Sequence, residues 1–469
     1  MRYVSTRGEA PLLGFADALL AGLATDGGLY LPQSWPQIAP ETIRGFAGRP
    51  YPEVAFEILS PFVGDDIPAP ALRRMIDEAY ATFPHPAVAP LVQLGPGHFV
   101  LELFHGPTLA FKDVAMQLIA RLMDYVLSER DQRATIVGAT SGDTGGAAIA
   151  AFSGSNRTDL FILFPHGRVS PVQQRQMTTS GSDNVHAVAV DGTFDDCQAL
   201  VKAMFNDQKF RKRSQLSGVN SINWGRIMSQ IVYYFTAAAS LGAPDRAISF
   251  TVPTGNFGDI FAGYAAKRMG LPVERLIIAT NQNDILTRTL ASGRYETGSV
   301  HATMSPSMDI QVSSNFERLI FEASGRNADL VRRLMQQLSQ SGSFTLPDEV
   351  LSTVLAEFSA GATDEAATAA TIRRTLRSTA YLLDPHTAVG VDVAERLSGE
   401  ETMITLATAH PAKFPESVKA AADVSPALPP SHADLMQKQE RFDRLPGELD
   451  AVEAFIAARS RAVTEGAEA

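Results

Sequence analysis

Short uninterrupted runs of apolar residues alternate with segments of helical periodicity through the middle of the chain. The runs predict buried strands at 99–103, 135–137, 160–164, 185–190, 248–252, 276–279 and 403–406. The helical segments are 71–83, 113–128, 224–239, a stretch ending at 269, 329–338, 348–360 and 364–374. Because the strands are apolar throughout instead of alternating, they are typical of parallel sheets covered by helices on both faces. The sequence therefore predicts an α/β fold with open, mostly parallel sheets.

At 469 residues the chain is too long for a single ordinary core, and changes in pattern divide it into four parts. Residues 1–95, rich in proline and glycine, form an N-terminal domain whose fold the pattern does not specify, and 84–97 connects it to the next part. The remaining parts are a smaller α/β domain at 96–210, a larger α/β domain with a helical insertion at 211–424, and a linker with a helical tail at 425–469. We expect the late strand 403–406 to return to the main sheet.

Composition and charge exclude several classes of function. Apolar residues make up 45% of the chain, and the net charge of −11 disfavours a general nucleic-acid binder. No apolar run approaches the roughly 20 residues that a membrane span needs, and the first residues lack the apolar segment of a secretory signal. The single cysteine, Cys197, forbids an intrachain disulfide and fits a reducing compartment. These features predict a cytoplasmic protein with no nucleic acid and no membrane among its partners.

A glycine-rich segment follows the strand at 135–137. Thr140, Ser141, Gly142, Asp143 and Thr144 supply hydroxyls and backbone N–H groups at the start of a helix, where an anion can bind. An ordinary tight connection between a strand and a helix has the same composition. The motif alone leaves both interpretations open.

A second loop of the same construction follows the strand at 248–252. It consists of Gly255, Asn256, Phe257, Gly258 and Asp259, and it leads into another helix. Neither loop continues into Gly-Lys-Ser or Gly-Lys-Thr, so a Walker-type nucleotide site is unsupported. A single loop of this kind has low specificity, and the pair is the stronger signal.

Lys112 lies among apolar and small residues in the segment 104–113. Desolvation there would lower the pKa of the amine, which suits imine chemistry. Taken alone, a surface lysine at a helix start is the commoner explanation. One imine-forming lysine, one loop for a phosphate and one loop for a carboxylate together predict a pyridoxal phosphate enzyme. The nine histidines follow no metal-ligand spacing, so no metal site is predicted.

Five blocks in a fixed order resemble the threonine synthase family, whose members are pyridoxal phosphate enzymes of fold type II. The resemblance covers essentially the whole chain and is closer to the long microbial and fungal branch than to the plant branch. The blocks are 105–113, 138–145, 220–224, 255–259 and 408–414, and 25–30 resembles the family's N-terminal signature. The implied fold is tryptophan synthase β-like, with an added N-terminal domain.

The resemblance also implies roles for individual residues. Lys112 would hold pyridoxal 5'-phosphate covalently and then move protons, and the loop 255–259 would bind the cofactor phosphate. Thr408 would face the pyridine nitrogen, where a hydroxyl favours an unprotonated ring. The loop 140–144 would hold the substrate carboxylate, with Asp143 where many fold type II enzymes have asparagine.

The implied reaction converts O-phospho-L-homoserine and water into L-threonine and phosphate by β,γ-elimination and addition of water at Cβ. The substrate phosphate then needs its own pocket, and the candidate ligands are Ser221, Asn223, Arg226 and Lys413. The protein is expected to be a monomer or a homodimer.

Three alternatives share most of these residues. A serine or threonine dehydratase would keep Lys112 and both loops but would need no second phosphate site. A phospho-lyase would release phosphate and 2-oxobutyrate from the same substrate. A protein that only binds a phosphorylated metabolite would not need an imine-forming lysine.

Overall fold

The computed structural model describes residues 1–397, 399 and 401–463. Its strands in chain order are β1 Tyr3–Ser5, β2 Tyr30–Pro32, β3 Leu91–Gly95, β4 His98–Glu102, β5 Ala134–Ala139, β6 Thr158–Pro165, β7 Val185–Asp191, β8 Leu216–Ser217, β9 Ile248–Pro253, β10 Val273–Thr280, β11 Arg294–Glu296, β12 Ser343–Thr345, β13 Phe358–Ala362, β14 Met403–Ala407 and β15 Asp443–Pro446.

The α-helices are α1 Phe15–Ala21, α2 Pro40–Arg44, α3 Tyr51–Val63, α4 Ala69–Tyr80, α5 Lys112–Glu129, α6 Asp143–Phe152, α7 Pro171–Thr178, α8 Phe194–Asn206, α9 Gln208–Arg213, α10 Trp224–Ser240, α11 Gly258–Arg268, α12 Ile285–Ser292, α13 Phe316–Ala323, α14 Ala328–Ser341, α15 Asp348–Glu357, α16 Glu365–Thr379, α17 Pro385–Leu397, α18 Pro415–Ala422 and α19 Leu449–Arg459. Within the described residues, no helix combines the length and the hydropathy of a membrane span.

Two largely parallel sheets form the body of the protein, which confirms the predicted fold class. The larger has the strand order β13-β10-β9-β14-β4-β3, with only β3 antiparallel to its neighbour. The smaller has the order β15-β7-β6-β5-β8 and is parallel throughout. The late strand β14 lies between β9 and β4, as expected from its apolar sequence. The predicted division into four domains is a separate matter and stays a prediction.

The central strands and helix α10 are apolar because both of their sides are covered. Every residue of β6 and of β9 is buried, which explains why neither strand alternates between apolar and polar residues. Helix α10 packs against α3, α5 and α11, and fifteen of its seventeen residues are buried. Helix α10 is therefore a core helix of the α/β body.

The N-terminal residues build a small unit that docks on α10 through aromatic side chains. The indole of Trp224 at the start of α10 lies 5.6 Å from the ring of Phe62, 6.0 Å from Trp35 and 6.1 Å from Tyr3, measured between ring centroids. Tyr3 and Phe62 are both fully buried. The unit thus gains its core from contact with the α/β body.

Three strands at the edges of the sheets, β3, β13 and β15, were not predicted from the sequence. β3 lies within the connection 84–97. The helix expected at 348–360 ends at Glu357, and β13 follows it, so the last residues of that expected helix form a strand. The tail contains β15 before α19. β13 is rich in small residues and β15 is mostly polar, so neither carries the β-branched pattern of a strand. Pairing with β10 and β7 overrides these weak local preferences. The last residues of the predicted helical tail, 464–469, lie outside the described residues.

Candidate active site

The carboxyl ends of β5, β9 and β14 and the start of α5 enclose one site. The segment before Lys112 runs along the end of β14: the Phe111 N–H donates to the Thr408 carbonyl at 2.9 Å, and the His410 N–H donates to the Leu109 carbonyl at 3.0 Å. This pairing brings Lys112 and Thr408, which are distant in sequence, to the same place. It is the end of the sheet at which open α/β folds bind ligands.

Lys112 is a buried amine at the first position of α5, with 8% of its surface exposed. Its Nζ lies 3.4 Å from Oδ2 of Asp143 and 3.4 Å from the Ser307 hydroxyl. Burial lowers the pKa of Lys112, the cations Lys413 and Arg226 lower it further, and Asp143 opposes them. An amine with a lowered pKa is a better nucleophile and base at neutral pH.

The loop 140–144 is a tight turn held by the Thr140 hydroxyl, and it leaves several hydrogen-bond donors free. The Thr140 hydroxyl accepts hydrogen bonds from the N–H groups of Gly142 and Gly145, both at 2.9 Å. Gly142 has φ 142°, and a Cβ there would lie 2.4 Å from the Gln173 side chain, so only glycine fits. Within the described residues, the hydroxyls and backbone N–H groups of Ser141 and Thr144 have no hydrogen-bond partner. They can bind a carboxylate at the start of α6.

Asp143 is the most highly connected side chain of the site. Its Oδ1 accepts from Lys413 Nζ at 2.8 Å and from the Gln173 amide at 2.9 Å, and its Oδ2 accepts from the Ser307 hydroxyl at 3.1 Å. Burial alone would raise the pKa of this carboxyl, but Lys413, Lys112 and His386 hold it well below its usual value. Asp143 is therefore ionised.

The loop 255–259 is a second cradle for an anion. Phe257 is buried, adopts a left-handed φ of 63°, and precedes the first residue of α11. The backbone N–H groups from Gly255 to Asp259 donate no hydrogen bond to any described residue. A Cβ on Gly255 would lie 2.9 Å from the Ser307 carbonyl. Free N–H groups at a helix N-terminus are the usual ligands of a phosphate.

The carboxyl of Asp259 points toward α10. The hydroxyls of Tyr233 and Tyr234 donate to its Oδ1, the latter at 3.1 Å. Burial raises the pKa of Asp259 to about 7, against hydrogen bonds from the two tyrosines and the nearby Arg226, which lower it. Protonation of this carboxyl reduces its repulsion of an anion in the loop.

This pKa predicts a dependence of stability on pH. Since the folded chain holds the Asp259 proton more tightly than the unfolded chain does, the stability from this group is complete below about pH 4 and is lost as the pH rises to about 7. We expect Asp259→Asn to lose less free energy of unfolding than the parent protein between pH 5 and 7, by roughly 2 kcal/mol. Urea titrations followed by tryptophan fluorescence measure the difference. Parallel curves for the two proteins would contradict the assignment.

Thr408 lies beside the lysine with its hydroxyl available. The side chain is 6% exposed and forms no hydrogen bond with any described residue. Its backbone N–H donates to the Thr387 hydroxyl at 3.3 Å, and that hydroxyl donates to buried Asp384. The position of Thr408 is thus fixed through its main chain, which leaves Oγ1 for a ligand.

The four candidate ligands of a substrate phosphate have different surroundings. Arg226 is 4% exposed; its Nη1 donates to the Val219 carbonyl at 3.5 Å, and its Nε has no partner within the described part of the chain. Ser221 is half-buried, with its hydroxyl 3.5 Å from that of Ser314. Lys413 contacts Asp143, as described above. Of these, Arg226 is the buried cation with unused donors.

Asn223 differs from the other three because its side chain is engaged in the fold. Its amide donates to the Leu19 carbonyl at 2.9 Å, and its Oδ1 accepts from the Gly225 N–H at 2.9 Å. It is the N-cap of α10. The observed contacts of Asn223 are structural, and its predicted role as a ligand of the substrate phosphate stays a prediction.

Several site residues were not predicted from the sequence. Ser307, on the loop after β11, contacts Lys112 and Asp143, and its N–H donates to Nε2 of His386 at 3.2 Å. Asn315 donates to the Asn256 carbonyl through both its backbone N–H, at 3.1 Å, and its side-chain amide, at 2.8 Å. Polar residues clustered at 305–315 were the one available signal, and they carry no spacing that indicates chemistry.

Comparison with known proteins covers the chain from end to end. Sequence models match at 2–80 (threonine synthase N terminus), 83–337 (pyridoxal-phosphate dependent enzyme) and 387–456 (threonine synthase, C-terminal). A threonine synthase of Pseudomonas aeruginosa is 53% identical over 459 residues, which are 97% of this chain and 98% of that protein. The chain belongs to the threonine synthase family.

Solved structures of threonine synthases also share the fold. The crystal structure of pyridoxal phosphate-bound threonine synthase from Brucella melitensis is 66% identical with a TM-score of 0.97, covering 98% of this chain and all of the other. The yeast threonine synthase is 38% identical with a TM-score of 0.93, covering 99% of each chain. Pyridoxal phosphate is accordingly the cofactor of this family member, and the free N–H groups at 255–259 together with buried Lys112 fit it.

Two of the three matched segments of this threonine synthase family member supply the residues of the site, and the N-terminal segment supports them. Lys112, both anion loops and Arg226 come from the segment 83–337, whereas Thr408 and Lys413 come from 387–456. The N-terminal segment contacts Arg318, a buried residue that supports the site. Arg318 donates to the carbonyls of Tyr30 at 2.9 Å and of Ile222 at 2.6 Å, and to the side chain of Asn315. The loop 255–259 is therefore supported by the N-terminal unit through Arg318 and Asn315.

Proposed function

We propose that this protein converts O-phospho-L-homoserine and water into L-threonine and phosphate. The observation that carries the proposal is that the site holds a buried guanidinium with an unpartnered donor, Arg226, in addition to the free N–H groups of the loop 255–259. The loop 255–259 suits the cofactor phosphate, and the buried guanidinium of Arg226, with unused donors and close enough to influence Lys112, suits a second one. A dehydratase of hydroxy amino acids needs the first place and not the second.

Each part of the site has a task in this proposal. The free N–H groups and hydroxyls of Ser141 and Thr144 bind the substrate carboxylate, and Thr408 meets the cofactor ring nitrogen. When bound at Lys112, pyridoxal phosphate supplies an electron sink for charge that develops on the substrate carbons. Lys112, released by the substrate amine, would remove the proton from Cα. A further proton would be lost from Cβ as phosphate leaves Cγ, and protons would return at Cγ and, after water adds at Cβ, at Cα. The lowered pKa of Lys112 favours the neutral base that this task needs.

Arg226 stabilises the phosphate as it leaves from Cγ. A guanidinium offers fixed, paired donors that match phosphate geometry, and burial strengthens the interaction by excluding water. Half-buried Ser221, near the start of the same helix as Arg226, is a further candidate contact. Lys413 was the fourth candidate, and its contacts with Asp143 suggest the different role developed below.

The product of the reaction tests the proposal. We expect the purified, cofactor-loaded protein to convert O-phospho-L-homoserine to threonine and phosphate in equal amounts, measured by amino-acid chromatography and phosphate release. Phosphate with 2-oxobutyrate instead of threonine would assign a phospho-lyase. Turnover of serine or threonine to the oxo acid without action on the phosphate ester would assign a dehydratase, and binding without turnover would assign a binding protein.

The compartment and assembly are also part of the proposal. The single cysteine is buried and free, in keeping with a cytoplasmic protein. We propose a monomer or a homodimer that acts on a small-molecule substrate.

A further inference from the structure

Lys413 carries an ammonium group that is fully removed from solvent. Its side chain is 0% exposed, and Nζ contacts two acceptors: Oδ1 of Asp143 at 2.8 Å and the Thr108 carbonyl at 2.6 Å. Thr108 lies in the segment that leads to Lys112, and its hydroxyl and N–H are fixed by Asp113 at 2.6 and 2.7 Å. Lys413 thus connects the segment that leads to Lys112 with Asp143 at the start of α6.

The Asp143 carboxylate lies between two ammonium groups. One oxygen faces Lys413, and the other faces Lys112 at 3.4 Å. Further charged or titratable groups face these residues: Arg226 acts on Lys112, His386 acts on Asp143, and buried Asp113 faces Lys413. Two lysines therefore share one carboxylate.

The Asp143 carboxylate raises the pKa of Lys112, and the Lys413 ammonium opposes this effect. The same carboxylate anchors Gln173 and Ser307 around the site, but a carboxylate within about 4 Å favours the charged form of a neighbouring amine by 1–3 pH units. A charged Lys112 could not accept a proton. The Lys413 ammonium on the far oxygen offsets that effect, and it also keeps the carboxylate ionised and in place.

We propose that Lys413 is a positioning residue that neutralises the charge of Asp143, so that the carboxylate can organise the site without holding a proton on the Lys112 nitrogen. The inference deepens the proposed function, because it takes Lys112 as the base of that reaction. It gives Lys413 a role other than binding the substrate phosphate. The directions of the pKa shifts agree: Lys413 lowers the pKa of both Lys112 and Asp143.

The test compares Lys413→Met, Asp143→Asn and the double variant in the pyridoxal phosphate-loaded protein, with Lys413→Arg as the control that keeps the charge. The readout is the midpoint of the pH titration of the visible absorbance band, which reports the charge on the Lys112 nitrogen and needs no substrate. We expect Lys413→Met to raise the midpoint by about one pH unit or more and Asp143→Asn to lower it. The double variant and Lys413→Arg should titrate close to the parent.

Opposite shifts that cancel in the double variant distinguish charge compensation from general damage to the fold. If Lys413→Met perturbs folding, the downward shift in Asp143→Asn and its reversal in the double variant carry the same test. A Lys413→Met protein that titrates like the parent, or equal shifts in Lys413→Met and Lys413→Arg, would overturn the inference. Since the titration is read without substrate, failure of the parent to form threonine would overturn the proposed function separately.

Discussion

Replacing Lys112 with alanine is expected to abolish threonine formation and the cofactor's covalent attachment together. Among the described residues, Lys112 is the one amine that lies against both Asp143 and Ser307, and the proposed reaction uses it as anchor and as base. Loss of both tasks should lower kcat on the order of 10³-fold or more. The two measurements are the rate of phosphate release and the visible absorbance of the purified protein.

Lys209→Ala is a suitable control for this experiment. Lys209 is exposed on α9, its backbone N–H donates to Asp207, and its side chain forms no hydrogen bond or ion pair with any described residue. We expect the control to keep the absorbance band and the parent rate. A Lys112→Ala protein with the parent rate and band would show that another amine carries the chemistry.

Replacing Arg226 with methionine is expected to reduce catalytic efficiency without reducing stability. Removing a buried guanidinium from its phosphate partner costs about 2–4 kcal/mol, which is roughly a 30-fold to 1,000-fold loss in kcat/KM for O-phospho-L-homoserine. Burial already lowers the pKa of Arg226 to about 10, and its Nε has no partner in the described chain. An apolar side chain therefore removes an uncompensated desolvation cost, and the melting temperature should stay equal or rise.

Arg318→Met provides the matched comparison, because Arg318 is an equally buried guanidinium whose donors are used. It donates to the carbonyls of Tyr30 and Ile222 and to Asn315, so its loss should lower the melting temperature. If Arg226→Met instead weakens cofactor binding and leaves the KM for the substrate unchanged, Arg226 would belong to the cofactor phosphate and not to the substrate phosphate.

The sequence predicted those parts of the site that depend on short segments of chain. The loops 140–144 and 255–259 are recognisable because glycine and hydroxyl residues at the end of an apolar strand have a local cause: the turn and the free N–H groups. Lys112 became a candidate only together with the two loops, because its apolar neighbours alone fit a surface lysine at a helix start equally well or better. The same reasoning predicted the parallel sheets, since their strands are apolar throughout.

Site residues that reach Lys112 only through tertiary contacts could not be predicted from the sequence. Ser307 reaches Lys112 from 195 positions away, and nothing in its surroundings indicates a partner. Asp143 was expected only to help bind a carboxylate, whereas the structure makes it the shared partner of Lys112 and Lys413. That pairing depends on β14 returning beside β4, which brings 408–413 to the lysine segment. Edge strands such as β13 and β15 were missed for a related reason, because their pairing and not their composition makes them strands.

The fate of the oxygen atoms tests the central claim most directly. The protein is incubated with O-phospho-L-homoserine in ¹⁸O-enriched water, and the products are analysed by mass spectrometry. Elimination of phosphate followed by addition of water at Cβ predicts one ¹⁸O atom in the threonine hydroxyl and none in the phosphate when it is released. Label in the phosphate with homoserine as the other product, or an oxo acid in place of threonine, would contradict the account.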